Sequence, residues 1–474
     1  MAATFTISEI LAATRGALVH QGAWDTFCGV STDSRTCQAG ELFIPLTGEK
    51  HDGHEFIPKA LHRGARGVLV EKRTFRPAGV GAGLKPAPTA PPEVTVIAVN
   101  DALTALGDLA RAWRDRFRGP VVGITGSCGK TTTKEMIAAV LAPGFRVLKN
   151  RLNLNNLIGM PLTLLGLEGT HEAAVVEMGM NVFGEIHRLT RIARPTVGVL
   201  TNVHPAHTEG VGDIAGVAQA KGELIRALDH GARLIYNADD PWVANLSQDF
   251  SGPRLGFGLN PGAALRAHSR RPLGRDGQVA RLSIAGREWP LTLPAPGLHM
   301  LYNALAATAV GLALGLAPEA TAAALGQFQA IHRRSQVVTL SSGVHLLNDC
   351  YNANPGSMAM ALSTLMELKD HGQAAAALGD MLELGEGAAA DHRELGRRAA
   401  RQGLDILVIY GNHRLDVADG AREAGLPGDR IFPVERWADG ALILRKLLAP
   451  GDWLLVKGSR SMHMEGLIDH LEEA

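Results

Sequence analysis

The sequence predicts a three-domain α/β protein: a small N-terminal α/β domain for substrate, a central phosphate-loop domain on a mostly parallel sheet, and a C-terminal Rossmann-like domain. Three observations carry this. The chain has 474 residues, too many for one core when a domain holds roughly 100–200. Strand and helix patterns alternate along the chain, and the rhythm starts afresh near residue 331, as expected of two parallel-sheet units in series. The first of these units opens on "GPVVGITGSCGKTTTKEMIAAVLA" (119–142), a buried strand, a glycine loop and a helix in the order a phosphate loop requires. No repeat of fixed period is present.

Taken in order, "GVLVE" (67–71) and "VTVIAV" (94–99) read as strands from their β-branched content. Residues 76–93 between them, dense in Gly, Pro and Ala, read as a flexible surface insertion. "NDALTALGDLARAWRDRF" (100–117) has helical spacing, with Leu103, Leu106, Leu109, Ala110 and Trp113 on one face, and leads into the second domain. Strands at 173–179, 196–203 and 232–239 and a helix at 214–228 give the βαβ rhythm, followed by short β pieces over 253–295 and an Ala-rich helix from about 297. Five strands are expected beyond 331: "VHLLNDCY", "AAAALGD", "DILVIYG", "RIFPVE" and "DWLLVKG". The domains are set at 1–99, 100–330 and 331–474.

Composition narrows the function classes. Lys plus Arg equals Asp plus Glu, for a formal net charge of zero, which argues against a general nucleic-acid binder. Cys28, Cys37, Cys128 and Cys350 form no C-x-x-C pair and read as reduced thiols of a cytoplasmic protein. The N-terminus lacks the basic stretch of a secretory signal. The uncharged run from Met300 to Pro318 is long enough to consider as a membrane span, but its Ala and Gly content and Asn303 make it a buried core helix.

The phosphate loop departs from G-x-x-x-x-G-K-[ST]: Gly129, Lys130 and Thr131 fit its end, but Ile124 occupies the first glycine slot. The loop is better written from Thr125 through Gly126, Ser127 and Cys128 to Thr131. Gly126 and Gly129 let backbone N–H groups converge on an anion, and the following helix adds its dipole. Lys130 can reach β- and γ-phosphate oxygens, and the Thr131 hydroxyl can serve Mg²⁺. Glu177, at the carboxyl end of its strand, is a candidate Mg²⁺ ligand beside Thr131. Cys128, near a helix N-terminus, is either a thiol of lowered pKa or a small residue that matters through its backbone.

T-G-S-x-G-K-T-T resembles the ATP loop of the Mur ligases and their relatives, the folylpolyglutamate synthases. Further stretches resemble the same family: "STDSR" (31–35), "LFIPLTGEKHDGHEFI" (42–57), "NLNNLIGMP" (153–161), "VVEMGMNVFGEI" (175–186), "NVHPAHTEGVG" (202–212), "AQAKGEL" (218–224), "NDCYNANPGSM" (348–358), "LGDMLELG" (378–385) and "VKGSRSMHME" (456–465). Their order covers nearly the whole chain. The resemblance implies an ATP-dependent amide-bond ligase, nearest the member that adds D-alanyl-D-alanine to a UDP-N-acetylmuramoyl-tripeptide through an acyl phosphate. Rival readings are a ligase of the same superfamily that adds one amino acid, and a phosphate-loop NTPase that is no ligase.

The resemblance also implies site residues. His207 matches a metal-binding His, with His204 nearby, and Lys221 a lysine carbamylated by CO₂; with Thr131 and Glu177 they would serve ATP and two Mg²⁺ ions, and Lys130, Lys221 and His207 would be catalytic. Asn303, Arg334 and Asp349 match nucleotide-binding positions, whereas Met300 replaces a family Asn; helix packing, solvation and strand-end capping are the structural alternatives for the three. Ser34 and Arg35 match uridine-diphosphate contacts. Asn153, Asn155, Asn156, Asn352 and Asn354 would face substrate, and the first three can equally satisfy loop backbone. Lys457, Ser459 and Arg460 would hold the dipeptide's carboxylate or cap the helix that follows. The expected partners are the two substrates alone, with no nucleic acid and no membrane, in a monomer.

Overall fold

The computed structural model describes residues 3–48, 51–72, 92–151 and 153–473. The insertion expected at 76–93 lies outside the described residues, except for Pro92 and Glu93.

The N-terminal part carries a five-stranded sheet in the order Ala17–His20, Thr95–Val99, Gly67–Glu71, Leu42–Phe43, Val30–Ser31, parallel but for the first pair. A short antiparallel ribbon pairs Thr4–Thr6 with Thr26–Cys28. The helix Ala102–Arg114 begins at Asp101, whose Oδ1 accepts the Thr104 N–H at 2.6 Å, an N-cap that satisfies an orphan donor. Its Leu106 and Leu109 share one core with Phe27 of the ribbon, Ile97 of the five-stranded sheet, and Leu189 and Ile192 of the central part. The helix is therefore a packed joint between the two.

The central sheet has nine strands. Val121–Thr125, which feeds the phosphate loop, lies between Ala173–Glu177 and Val197–Leu200, parallel to both. All three are buried throughout, as strands covered on both faces must be, hence their unbroken apolar runs. Val147–Lys149 forms one edge. On the other side follow Arg233–Asn237, Arg254–Gly258 and Leu265–Pro272, all parallel, then the antiparallel Gln278–Ile284 and Arg287–Leu293. The short β pieces expected over 253–295 are thus longer strands that extend the same sheet. The helix Leu298–Ala313 buries Ala304, Ala306 and Ala307 in the core that holds Ile137 and Val140 of the loop helix Lys130–Leu141. Among the described residues no helix is long and apolar enough to cross a membrane.

The C-terminal sheet runs Gln336–Thr339, His345–Asn348, Trp453–Lys457, Ala374–Gly379, Ile406–Tyr410, Ile431–Val434, parallel except for the first pair. It has six strands where five were expected. The sixth, Gln336–Thr339, has no fully buried residue and follows Arg333 and Ser335, both at positive φ, so its sequence reads as linker.

One consequence of topology fixes the site. From Val121–Thr125 the chain crosses to strands on one side, then to Val197–Leu200 on the other. The carboxyl ends of the three central strands bound the crevice where ligands of such sheets bind.

Candidate active site

Ile124 is a strand residue, fully buried and paired with Glu177 and Val199. That is why no glycine is needed there. The turn starts at Gly126, φ 148°, where a Cβ would lie 2.0 Å from Thr201 Oγ1. It ends at Gly129, φ 80°, where a Cβ would lie 2.5 Å from Asn303 Oδ1. Only glycine fits either position. Asn202, which sequence reasoning missed, shapes the loop between them: its backbone oxygen accepts the Ser127 N–H at 3.0 Å, and its Oδ1 accepts the Cys128 N–H at 2.8 Å. Those two amides are occupied, contrary to an anion grip along the whole loop. The first internal bond of the helix runs from Thr133 N–H to Gly129 O. The N–H groups of Lys130, Thr131 and Thr132 precede it and point an unpaired, positive helix end at the crevice.

Beyond the loop lies a cavity of about 360 Å³. Its central-domain wall includes Ser127 through Thr132, Asn153, Asn155, Asn156, Glu177 and His207; its C-terminal wall includes Arg334, Asp349, Asn352, Asn354, Lys457 and Arg460. His299, Met300 and Asn303 also line it. The structure therefore brings most of the expected residues to one place. Ser459, Thr125, Gly126 and Lys221 are not among the residues that line it.

On the central wall the Thr131 hydroxyl donates to Glu177 Oε2 at 2.8 Å, and Asn155 Nδ2 donates to Glu177 Oε1 at 2.7 Å. Asn150 locks the strand end by accepting the Glu177 N–H and donating to its carbonyl. Asn156 accepts the Gly159 N–H at 2.8 Å and so caps its own loop. Lys130 Nζ donates back to Gly126 O at 2.7 Å, and burial pushes its pKa below the ordinary lysine range. Lys221 is fully buried and its Nζ has no hydrogen-bond partner among the described residues. Burial first, and then the Lys130 charge, press its pKa well below the ordinary value, favouring a neutral amine. Burial also raises the Cys128 thiol. The lowered pKa considered for it is overruled by desolvation, and its Sγ donates to Asn354 Oδ1 at 3.1 Å.

The C-terminal wall is already paired. Lys457, 2 % exposed, meets Asp349 Oδ2 at 2.5 Å and Asn352 O at 3.0 Å. Asp349 Oδ1 accepts the Ser335 N–H. Arg460 pairs with Glu465 at 2.7 Å, and Ser459 Oγ accepts the Leu382 N–H. Asn354 caps the helix Pro355–Leu368 in a capping box with Ser357. Arg334 lies over the Tyr351 ring, 3.9 Å from its centroid, and Asn303 Oδ1 accepts from Thr133.

Several polar contacts join the two domains around the cavity. Asn354 meets Cys128. Arg270 of the central sheet makes a two-pronged ion pair with Glu367 at 2.6 and 2.8 Å. His207 Nδ1 lies 2.5 Å from Glu383 Oε2, close but not in line with an N–H bond. Glu383, Asn202 and Asn150 were not singled out from sequence; Glu383 stood inside "LGDMLELG" without a role.

Ser34 and Arg35 are not among the residues that line this cavity. Ser34 is buried in the turn, and the exposed Arg35 pairs with Asp33 at 2.8 Å, holding that carboxyl down to about 2.

No cluster of three or more His, Cys, Asp or Glu side chains stands ready for a metal among the described residues. Mg²⁺ needs none, since it is commonly held by one or two protein oxygens together with substrate phosphates. The Thr131–Glu177 pair beside open helix amides fits that chemistry. The orphaned Lys221 Nζ fits an amine awaiting a modifying group.

A phosphate loop at the switch point of a mostly parallel sheet, faced by a second α/β domain, defines a multidomain nucleotide-binding protein. Three family profiles match it: Mur ligase family, catalytic domain (26–114), Mur ligase middle domain (124–311) and Mur ligase, glutamate ligase domain (333–460). The chain is 35% identical over 470 residues, 99% of its length and 98% of the relative's, to UDP-N-acetylmuramoyl-tripeptide--D-alanyl-D-alanine ligase of Bacillus subtilis (strain 168). It resembles the crystal structure of MurF from Acinetobacter baumannii with a TM-score of 0.89, 30% identity and complete coverage of both chains. It also resembles MurF ligase from Thermotoga maritima in complex with ADP, with a TM-score of 0.80, 27% identity, and coverage of 94% of this chain and 97% of that one. The chain belongs to the Mur ligase family.

Proposed function

We propose that the protein is an ATP-dependent ligase that joins D-alanyl-D-alanine to a UDP-N-acetylmuramoyl-tripeptide, forming ADP and phosphate, in peptidoglycan precursor synthesis. The observation that carries the reading is the likeness, over essentially its whole length, to relatives that bear that name. The division of labour we propose follows the boundaries 1–99, 100–330 and 331–474, with the nucleotide sugar on the first domain near Ser34 and Arg35, ATP on the second and the dipeptide on the third. The enzyme would act as a cytoplasmic monomer.

A carboxylate resists attack by an amine until one of its oxygens carries a good leaving group. The peptide carboxylate attacks the γ-phosphorus of ATP, ADP departs, and the resulting acyl phosphate is attacked by the dipeptide amine, which expels phosphate. The chain must hold two crowded anions in line and balance the charge on the moving phosphoryl group. The open amides of Lys130, Thr131 and Thr132 suit the phosphates. Lys130, released from Gly126 O by a triphosphate, would meet its oxygens there, and an adjacent anion favours the charged form of the amine. Thr131 and Glu177, with His207, are the groups that would hold Mg²⁺, which supplies charge neutralisation between phosphate oxygens. Lys221, whose burial favours the neutral amine, can take up CO₂ as a carbamate and so turn a buried amine into an anion that would orient the metal's surroundings. The paired residues of the C-terminal wall exclude water from the reactive acyl group.

The test is an ATP-dependent coupling assay with UDP-N-acetylmuramoyl-tripeptide and a panel of amines, read by mass. A product heavier by D-alanyl-D-alanine less water is expected. Addition of a single amino acid in preference to the dipeptide, or ADP release that ignores both acceptors, would overturn the reading.

A further inference from the structure

We infer that Glu383 is a positioning residue: seated on the C-terminal domain, it holds the His207 ring of the central domain, so that His207 is aligned for the reaction only when the two domains are docked. The inference rests on the ligase reading for its purpose, but its geometry stands independently.

Two turns from distant parts of the chain meet edge to edge. His207 follows the central strand Val197–Leu200 and has φ 57°; Glu383 follows the strand Ala374–Gly379 and has φ 64°. Neither is glycine, so each backbone is held in a conformation that its surroundings must impose. Those surroundings are each other. The Glu209 N–H donates to Glu383 O at 3.2 Å, and the Thr208 hydroxyl donates to Leu384 O at 3.0 Å. Gly385 packs on Glu209, where a Cβ would lie 3.3 Å from the Glu209 Cα. Within this seam the Glu383 carboxylate reaches His207 Nδ1 at 2.5 Å, and the contact with the ring holds that carboxyl below its ordinary range.

Of the pair, His207 alone lines the cavity. Its Nε2 makes no hydrogen bond among the described residues, so that nitrogen is left for the cavity. An imidazole that works through one nitrogen is fixed in ring angle and tautomer by what the other nitrogen contacts, and a carboxylate is a common choice. The arrangement differs from a permanent support because the carboxylate belongs to the other domain. When the domains part, the backbone seam and the Glu383–His207 contact are lost together. The Arg270–Glu367 pair joins the same two domains without touching His207. It therefore separates docking as such from alignment of the ring.

The experiment compares wild type with Glu383→Ala, Glu383→Gln and Glu367→Ala in the full chain. Two readouts are used: kcat and KM for ATP in the coupling assay, and Mn²⁺ affinity in the presence of a non-hydrolysable ATP analogue, followed by electron paramagnetic resonance. Glu383→Ala is expected to lower kcat at least tenfold with KM for ATP within about threefold, and to weaken Mn²⁺ binding at least fivefold. Glu383→Gln, whose amide oxygen can take the carboxylate's place against Nδ1, should remain within about threefold of wild type in both. Glu367→Ala should leave Mn²⁺ affinity within twofold. If Glu383→Ala does not fold, Glu383→Asp, too short to reach the ring, takes its place with the same expectations. Wild-type kcat and Mn²⁺ affinity in Glu383→Ala, or equal losses in Glu383→Ala and Glu367→Ala, would overturn the inference. So would a Gln variant as impaired as the Ala variant. The Mn²⁺ readout needs only nucleotide and metal, so it decides the inference even if wild type fails to couple D-alanyl-D-alanine and the ligase reading falls.

Discussion

The two walls of the cavity are built on opposite terms. On the phosphate-loop side the cationic and amide groups lack a charged partner: Lys130 folds back on its own loop, the first helix amides stay open, and Lys221 Nζ has no hydrogen-bond partner among the described residues. On the C-terminal wall the charged groups are matched within the domain: Lys457 with Asp349, and Arg460 with Glu465. Unpaired buried polar groups are costly, and a fold keeps them where a ligand will complete them. Paired groups hold a shape. The contrast assigns anion handling to the first wall and enclosure to the second.

The sharpest way to break this comparison is Lys130→Ala. ADP formation should fall about 10³-fold, the scale of one lost transition-state charge partner, while thermal melting of the unliganded protein stays near wild type. Turnover at the wild-type rate would deny the loop wall its role. The counterpart on the other wall is Asp349→Ala, which strands the buried Lys457. It should cost about 3 kcal/mol in denaturant unfolding, and an unchanged midpoint would show that this wall is not held by its ion pair.

Lys221→Met sharpens the contrast because its two readouts move in opposite directions. Turnover should fall about 10²-fold, whereas unliganded stability in CO₂-free buffer should rise by about 1 kcal/mol as the orphaned amine is removed. The pH dependence follows from the depressed lysine. Between its folded value and the ordinary one only the unfolded chain binds the proton, so wild-type stability rises with pH through that window. The Met variant should lose this slope.

His299 tests the seam between the walls. It contacts Ser335 Oγ at 3.1 Å and Thr364 Oγ1 at 3.5 Å, and burial lowers its pKa from 6.5 to about 4. The unfolded chain takes up the proton first, so stability is complete above 6.5 and is lost as pH falls toward 4, by about 3 kcal/mol. His299→Gln should flatten that decline, and an unaltered acid profile would remove His299 from the seam.

Much of the first wall was legible in the sequence because its chemistry is local. Strand, glycine turn and helix are contiguous from Val121 to Leu141, and Glu177 needed only its place at a strand end. The second wall was legible as motifs but not as contacts. Lys457 and Asp349 come from neighbouring strands, and nothing in either stretch announces that they bind each other and not a substrate. Asn202 and Glu383 were missed for the same reason. Each acts on a residue remote in sequence, the one by occupying loop amides, the other by reaching a histidine across a domain seam. The edge strand Gln336–Thr339 escaped because half-exposed edge residues lack the apolar run that marks a buried strand.

The central claim is that the γ-phosphoryl group passes to the peptide's carboxylate before the amide forms. Coupling a tripeptide substrate labelled with ¹⁸O in that carboxylate, and reading the released phosphate by mass, tests it most directly. The account predicts one ¹⁸O atom in each phosphate, carried over from the acyl phosphate. Phosphate free of the label, released alongside the amide product, would contradict it.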